Sequence, residues 1–287
     1  MCGRFFVSLL LVLGVILSNF ALRVLTALIF GTIALYLTWL GGEVFSLFAW
    51  GIGGFILYEW VSITKGKWSI AQRILAGVFY CVFGVFLIFS APAMLVFCVL
   101  IVLAVILSIG PIKNTGWVFF GFLYASFPVV ALSFLRGCEI LGFWVVLFLF
   151  TIVWGTDIAA YFSGHTFGGP KLAPQFSPNK TWSGAVGGAL AGIFGGMLIS
   201  FCVFNVNSRS FFVFFLSLIL SIISQISDLG QSWLKRRFSV KDSGFLLPGH
   251  GGFMDRMDGL AGAAFFLYLV GSFNSGMDAP FNLFCMI

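Results

Sequence analysis

Residues 221–258 read SIISQISDLGQSWLKRRFSVKDSGFLLPGHGGFMDRMD. The stretch gathers five of the fifteen Lys/Arg (Lys235, Arg236, Arg237, Lys241, Arg256) and four of the nine Asp/Glu (Asp228, Asp242, Asp255, Asp258) of a chain that is only 8% charged. In its first half and the turn before it, polar residues Ser217, Ser221, Ser224, Asp228, Gln231 and Lys235 interrupt an apolar run every three or four positions, which is one face of a helix. Serine and glutamine on such a stripe pack membrane helices together through hydrogen bonds. Asp228 points beyond packing, because a carboxylate near a bilayer costs about 2.5 kcal/mol or more.

The second half is glycine-rich and ends in Pro248, Gly249, His250, Gly251 and Gly252, a composition that strips away side-chain bulk and lets backbone N–H groups face an anion. Asp255 and Asp258 follow three residues apart. If a helix starts near Met254, both carboxylates share one side of its first turn, where they suit a hard divalent cation with oxygen ligands. Lysines and arginines flanking such carboxylates are the usual equipment for handling a nucleoside triphosphate with its metal.

Working outward, the whole chain is 61% hydrophobic with 38 Phe in 287 residues and a mean hydropathy of +1.12. That composition predicts an all-α, polytopic bundle of membrane helices. Apolar runs fall at 5–21, 24–40, 44–63, 74–90, 92–109, 116–134, 139–162, 184–205, 210–229 and 259–277, giving nine or ten spans. The first run carries Arg4 before its apolar core and Ser18-Asn19-Phe20-Ala21 after it, so it reads as a tilted or interfacial helix or as a cleaved leader. Residues 1–150 then form an N-terminal set of membrane helices. Residues 151–287 form a catalytic half with loops at 163–183 and 230–258.

Charge placement orients the bundle. Segments 64–73, 110–115, 163–183 and 230–258 lie two spans apart in succession and hold eleven Lys/Arg, whereas the opposite loops carry Arg136 and Arg209. The positive-inside rule therefore puts those four segments, and a site built on them, in the cytoplasm, as for a multi-pass protein of a bacterial-type inner membrane. The formal charge of +6 reads as topology plus an anionic substrate rather than nucleic-acid binding, since no basic helix with interleaved aromatics lies outside the apolar runs. Cys2, Cys81, Cys98, Cys138, Cys202 and Cys285 are scattered without short paired spacing, which fits neither a zinc site nor a disulfide framework. Glu59, near the end of the third run, is expected at the interface beside Lys65 and Lys67.

A second informative region runs from Trp154 to Gly196. Asp157 sits inside an apolar run ahead of AYFSG (160–164), and the following loop contains SPNKTW (177–182). Ser177 before Pro178 reads as a helix-start or turn signal. Lys180 and Thr181 add donors suited to phosphate. Gly184, Gly188, Gly192 and Gly196 then recur every four residues, a flat face for close helix packing, either within the chain or across a homodimer seam.

The segments SWLKR (232–236), KDSG (241–244) and PGHGGFMDRMD (248–258) together resemble the signature of the phosphatidate cytidylyltransferases, also called CDP-diacylglycerol synthases. The Asp157-x-x-Ala-Tyr-Phe and Ser177-Pro-x-Lys-Thr-Trp elements resemble that family's upstream pattern, so the likeness covers about the C-terminal half. Ser183, and Gln231 before Ser232, depart from it where the family more often has Glu. The resemblance implies transfer of a cytidylyl group from CTP to phosphatidic acid with Mg²⁺, alone or with a second cation. It further implies Asp228, Asp255 and Asp258 as metal carboxylates, and Asp228, Ser232, Lys235 and Asp255 as catalytic residues. Lys180, Thr181, Arg236, Lys241, His250, Gly251, Gly252 and Arg256 would bind substrate. An ionised phosphomonoester needs no strong base, so His250 is read as a phosphate-binding or loop residue rather than a proton-transfer group.

Two other functions use overlapping parts. A CTP-dependent kinase of lipid alcohols would need similar residues, but the complete ending through Asp258 favours the cytidylyltransferase. An ion-coupled transporter could carry Asp157 and Asp228 within broken helices, yet it would not need the Lys/Arg-rich segment with its glycine-rich turn.

Overall fold

The computed structural model describes residues 19–109, 115–204, 210–244 and 251–284. The apolar run at 5–21 therefore falls almost wholly outside the described residues. Nine α-helices are described: α1 (Asn19–Leu40), α2 (Gly42–Ile63), α3 (Ile70–Ile88), α4 (Ala93–Ser108), α5 (Thr115–Arg136), α6 (Ile140–Phe167), α7 (Trp182–Ile199), α8 (Ser210–Arg237) and α9 (Met254–Ser275). Between α6 and α7 lies a small antiparallel hairpin of β1 (Lys171–Ala173) and β2 (Ser177–Thr181), with Lys171 opposite Thr181. Among the described residues the protein is all-α apart from this hairpin.

Among the described residues, α2, α3, α5, α6, α7 and α8 are long and apolar enough to cross a membrane. The nine or ten expected spans are not all of that kind. In α4 the apolar helix has only 16 residues, and α9 carries Asp255, Arg256 and Asp258 in its first turns. Exposed Val186, Leu190 and Phe194 on α7 and Phe211, Phe215 and Ile222 on α8 form the outward surface of a bilayer-embedded bundle.

Local chemistry sets several helix ends. Ser69 and Gln72 form a reciprocal capping box at the start of α3, and the Gln72 amide also donates to the Leu107 carbonyl at the end of α4. At the other end of the bundle, the buried Arg136 guanidinium donates to the carbonyls of Thr38, Trp39, Gly137 and Glu139. Gly41, at φ +67°, lets the chain pass so close to it that a Cβ there would overlap the guanidinium.

The glycine face predicted on α7 is an internal contact. A Cβ at Gly188 would come within 2.8 Å of the Thr156 carbonyl on α6, one at Gly192 within 2.7 Å of Thr156 Oγ1, and one at Gly196 would overlap Ser217 on α8. This face is therefore filled from within the chain, and a homodimer would have to use another surface. The polar stripe of α8 lies alongside it. Ser217, Ser221, Ser224 and Gln231 are buried, and Ser221 shares a 2.7 Å hydrogen bond with Thr156.

The helices alternate in direction, so the end of α2, the start of α5, the hairpin, the end of α8 and the start of α9 gather at one end. Trp60 on α2 donates to the Trp117 carbonyl of α5, the Trp117 ring meets Phe238 just after α8, and Arg236 reaches the Phe176 carbonyl in the hairpin. The motif-bearing segments therefore meet at one end of the bundle.

Candidate active site

The helix α8 runs through Arg237, so Asp228, Ser232, Lys235 and Arg236 lie on its last three turns, as the stripe predicts. Its final turn holds Lys235, Arg236 and Arg237, cations that complement the negative end of the helix dipole. Asp228 forms an ion pair with Lys180, which β2 brings in from the hairpin. Both side chains keep access to solvent, at 28% and 27% exposure. Asp157 on α6 and Asp258 on α9 lie within Coulombic reach of Asp228 and Lys180.

The helix α9 starts at Met254, as expected, but its two carboxylates are used differently. One oxygen of Asp255 accepts from Lys235 Nζ at 2.7 Å. The other accepts the backbone N–H of Ser243 at 2.9 Å and of Gly252 at 3.3 Å. Asp258 instead accepts the N–H of Gly259 at 2.7 Å and lies within Coulombic reach of Asp228. The expected trio of Asp228, Asp255 and Asp258 is thus divided between two neighbouring constellations, each with its own lysine. Among the described residues no three His, Cys, Asp or Glu gather closely enough to hold a metal by themselves.

Other expected residues take more local roles. Thr181 is buried and caps α7, its hydroxyl accepting from Gly184 N–H at 3.2 Å and pairing with Ser183 at 3.0 Å. The hydroxyl is thus committed to helix capping rather than presented to a phosphate. Ser177 opens β2 directly after the hairpin turn at 174–176, so of the two readings of its Ser-Pro signal the turn holds, and α7 starts four residues later than the helix-start reading would put it. Ser183 donates to the Gly168 carbonyl and Gln231 to the Met254 carbonyl, which gives both family departures a structural function. Gly252 directs its N–H to Asp255, and Gly251, at φ +86°, occupies a backbone conformation that favours glycine. Ser232 is half-buried, whereas Arg236, Lys241 and Arg256 are exposed. His250 lies outside the described residues.

Glu59 is the residue that local reading misplaced. Expected at the interface, it is 1% exposed, with its carboxylate turned to the segment that opens α9. The signal was present as a lone carboxylate in an apolar helix, but its partners lie more than 180 positions away.

A cavity of about 810 Å³ opens between α1, α2, α5, α6 and α9. Leu35, Phe48, Ile52 and Leu132 are among its apolar walls, and Asp157, Asp255, Arg256 and Asp258 line its charged end. Its charged end carries three carboxylates to one guanidinium, so an amphiphile with an anionic head fits this gradient only with cations to offset those acids.

Fold and site together define a polytopic membrane protein whose charged side chains gather at one end of its bundle. The chain belongs to the Cytidylyltransferase family, whose sequence model matches residues 21–273. It is 47% identical over 269 residues to a phosphatidate cytidylyltransferase of Brucella suis biovar 1 (strain 1330), covering 93% of this chain and 99% of that protein. A phosphatidate cytidylyltransferase of Rickettsia felis (strain ATCC VR-1525 / URRWXCal2) is 34% identical over 216 residues, covering 72% of this chain and 95% of that one.

Proposed function

We infer that this chain transfers the cytidylyl group of CTP to phosphatidic acid, giving CDP-diacylglycerol and pyrophosphate for phospholipid biosynthesis. The observation that carries the reading is the cavity with apolar walls and a charged end, in a chain that matches enzymes of that name over nearly its full length. The acyl chains occupy the apolar part, and the lipid phosphate lies at the charged end.

In the reaction a phosphate oxygen of the lipid attacks the α-phosphorus of CTP. The bond from that phosphorus to the β-phosphate oxygen breaks, and pyrophosphate leaves. Two anions must meet, so the placement of cations decides the rate. Lys180 rides on a hairpin in a part-exposed pair with Asp228, and can turn from the carboxylate to a phosphate. Lys235 is held in place by Asp255 and supports charge from the floor of the site. Arg256 stands at the charged end of the cavity, Ser232 offers a hydroxyl on α8 between Asp228 and Lys235, and Arg236 and Lys241 extend the positive surface outward.

The oxygen donors of Asp228 and Asp258 fit Mg²⁺, which commonly binds through one or two carboxylates completed by water and substrate phosphates. Those two residues would hold it, with Asp255 joining by giving up backbone contacts, and the bound ion would neutralise triphosphate charge. We place all nine helices across the bilayer with the charged end in the cytoplasm, where CTP is found.

The test is incubation of purified protein in detergent with CTP, phosphatidic acid and Mg²⁺. CDP-lipid with pyrophosphate is the expected outcome. CDP with a phosphorylated lipid alcohol, when an alcohol replaces phosphatidic acid, would assign a kinase instead.

A further inference from the structure

The carboxylate of Glu59 lies in α2, in the half of the chain farthest from the signature, yet it holds the signature together. Its Oε1 accepts the N–H of Phe253 at 2.9 Å, and its Oε2 accepts the N–H of Met254 and the hydroxyl of Ser243, each at 2.8 Å. Three donors thus converge on a single side chain that is 1% exposed. Two of them are N–H groups at the start of α9, which have no partner within the helix.

Independent packing supports the same junction. Phe55, one turn before Glu59 on α2, stacks on the Phe253 ring with centroids 4.7 Å apart, so α2 grips that residue by both ring and backbone. A Cβ at Gly244 would come within 2.7 Å of Glu59 Oε1, and one at Gly252 would overlap Ser243 Oγ. Glycine at both positions lets the chain close around the carboxylate. Ser243 then bridges two acids, giving its hydroxyl to Glu59 and its N–H to Asp255. Asp255 in turn holds Lys235.

We propose that Glu59 is a positioning residue for cytidylyl transfer: by binding Ser243, Phe253 and Met254 together it sets the first turn of α9, and through it the Asp255–Lys235 pair, in the geometry the reaction needs. The proposal rests on the cytidylyl-transfer reading. Glu59 contacts neither reacting group. It acts through Asp255, so its loss lowers turnover more than it weakens binding of substrates that other residues hold.

Glu59→Gln is the informative variant, because the amide keeps the shape but offers one accepting oxygen to three donors. We expect kcat to fall about tenfold or more while KM for CTP and for phosphatidic acid each stay within about twofold. Hydrogen exchange of the 251–258 amides should accelerate, with α6 and α7 unchanged. Glu59→Asp, which keeps the charge, should recover part of the lost kcat. A folded Glu59→Gln protein with parental kcat overturns the proposal, and so does lost activity accompanied by faster exchange throughout the bundle, which would make Glu59 a general stability element. If Glu59→Gln does not accumulate as folded protein, Ser243→Ala decides. It removes one of the three donors and should lower kcat about threefold with local exchange effects only, and parental kcat in it overturns the proposal. The unsubstituted protein, assayed in parallel, separates the two readings. If it makes no CDP-lipid, the reaction is wrong, and parental exchange at 251–258 in Glu59→Gln would then overturn the positioning contact itself.

Discussion

The two lysine–carboxylate pairs at the charged end of the bundle use the same chemistry under different conditions. Lys180 and Asp228 are joined across the hairpin and α8, with more than a quarter of each side chain open to solvent and two further carboxylates facing them. Lys235 and Asp255 are joined across α8 and α9, at 15% and 10% exposure, and the second oxygen of Asp255 is tied down by two backbone N–H groups. Breaking the first pair exposes both partners to water and to other ions. Breaking the second strands a charge in a nearly dry place. The first pair is therefore suited to exchange with substrate and metal, and the second to holding shape.

That contrast can be broken by experiment. Removing divalent cations with excess chelator should have the largest effect, a loss of turnover of about 10³-fold or more that Mg²⁺ restores, because the exchangeable acids are hard oxygen donors. Turnover surviving exhaustive chelation would leave Asp228 as a partner for Lys180 alone. Asp228→Asn should lower transfer about 10³-fold, or about 4 kcal/mol of transition-state stabilisation. Its thermal unfolding in detergent should hardly move, since a part-exposed pair contributes about 1 kcal/mol or less.

For the inner pair the balance tips toward stability. Asp255→Ala should lower activity about 100-fold and also cost about 3 kcal/mol of stability, the scale for removing one partner of a buried pair. A parental melting temperature in that variant would show Asp255 to be as loosely held as Asp228, and the contrast would fail. Lys235→Arg gives the smallest effect of the set, about tenfold or about 1.4 kcal/mol, because a planar guanidinium does not fit a place built for an ammonium. Expression should match the parent, and parental kinetics would show that the pair with Asp255 accepts either cation and that Lys235 acts as a structural partner alone.

Much of this end of the molecule can be read along the chain, where spacing is local. The α8 stripe comes from residues three and four apart, and the structure buries its serines and Gln231, leaves Asp228 part-exposed, and ends the stripe with Lys235 in the inner pair with Asp255. The start of α9 at Met254 and the close-packed glycine face of α7 follow from equally local patterns. Ser177-Pro178 was less transparent. Proline is tolerated in a short edge strand, and β2 belongs to a two-stranded hairpin in which every strand is an edge.

The sequence by itself determined the class of molecule, its helices and the residue types gathered for phosphate chemistry, because hydropathy and helical period act over a few turns. Only the tertiary structure decided the partners. Lys180 lies 48 positions from Asp228, and Glu59 lies 184 from Ser243. Neighbouring charges in sequence, Lys65 and Lys67, suggested an interface position for Glu59, which is buried. Helix packing brought the buried carboxylate to three distant donors instead, since a charge removed from water must be met by whatever the fold carries to it.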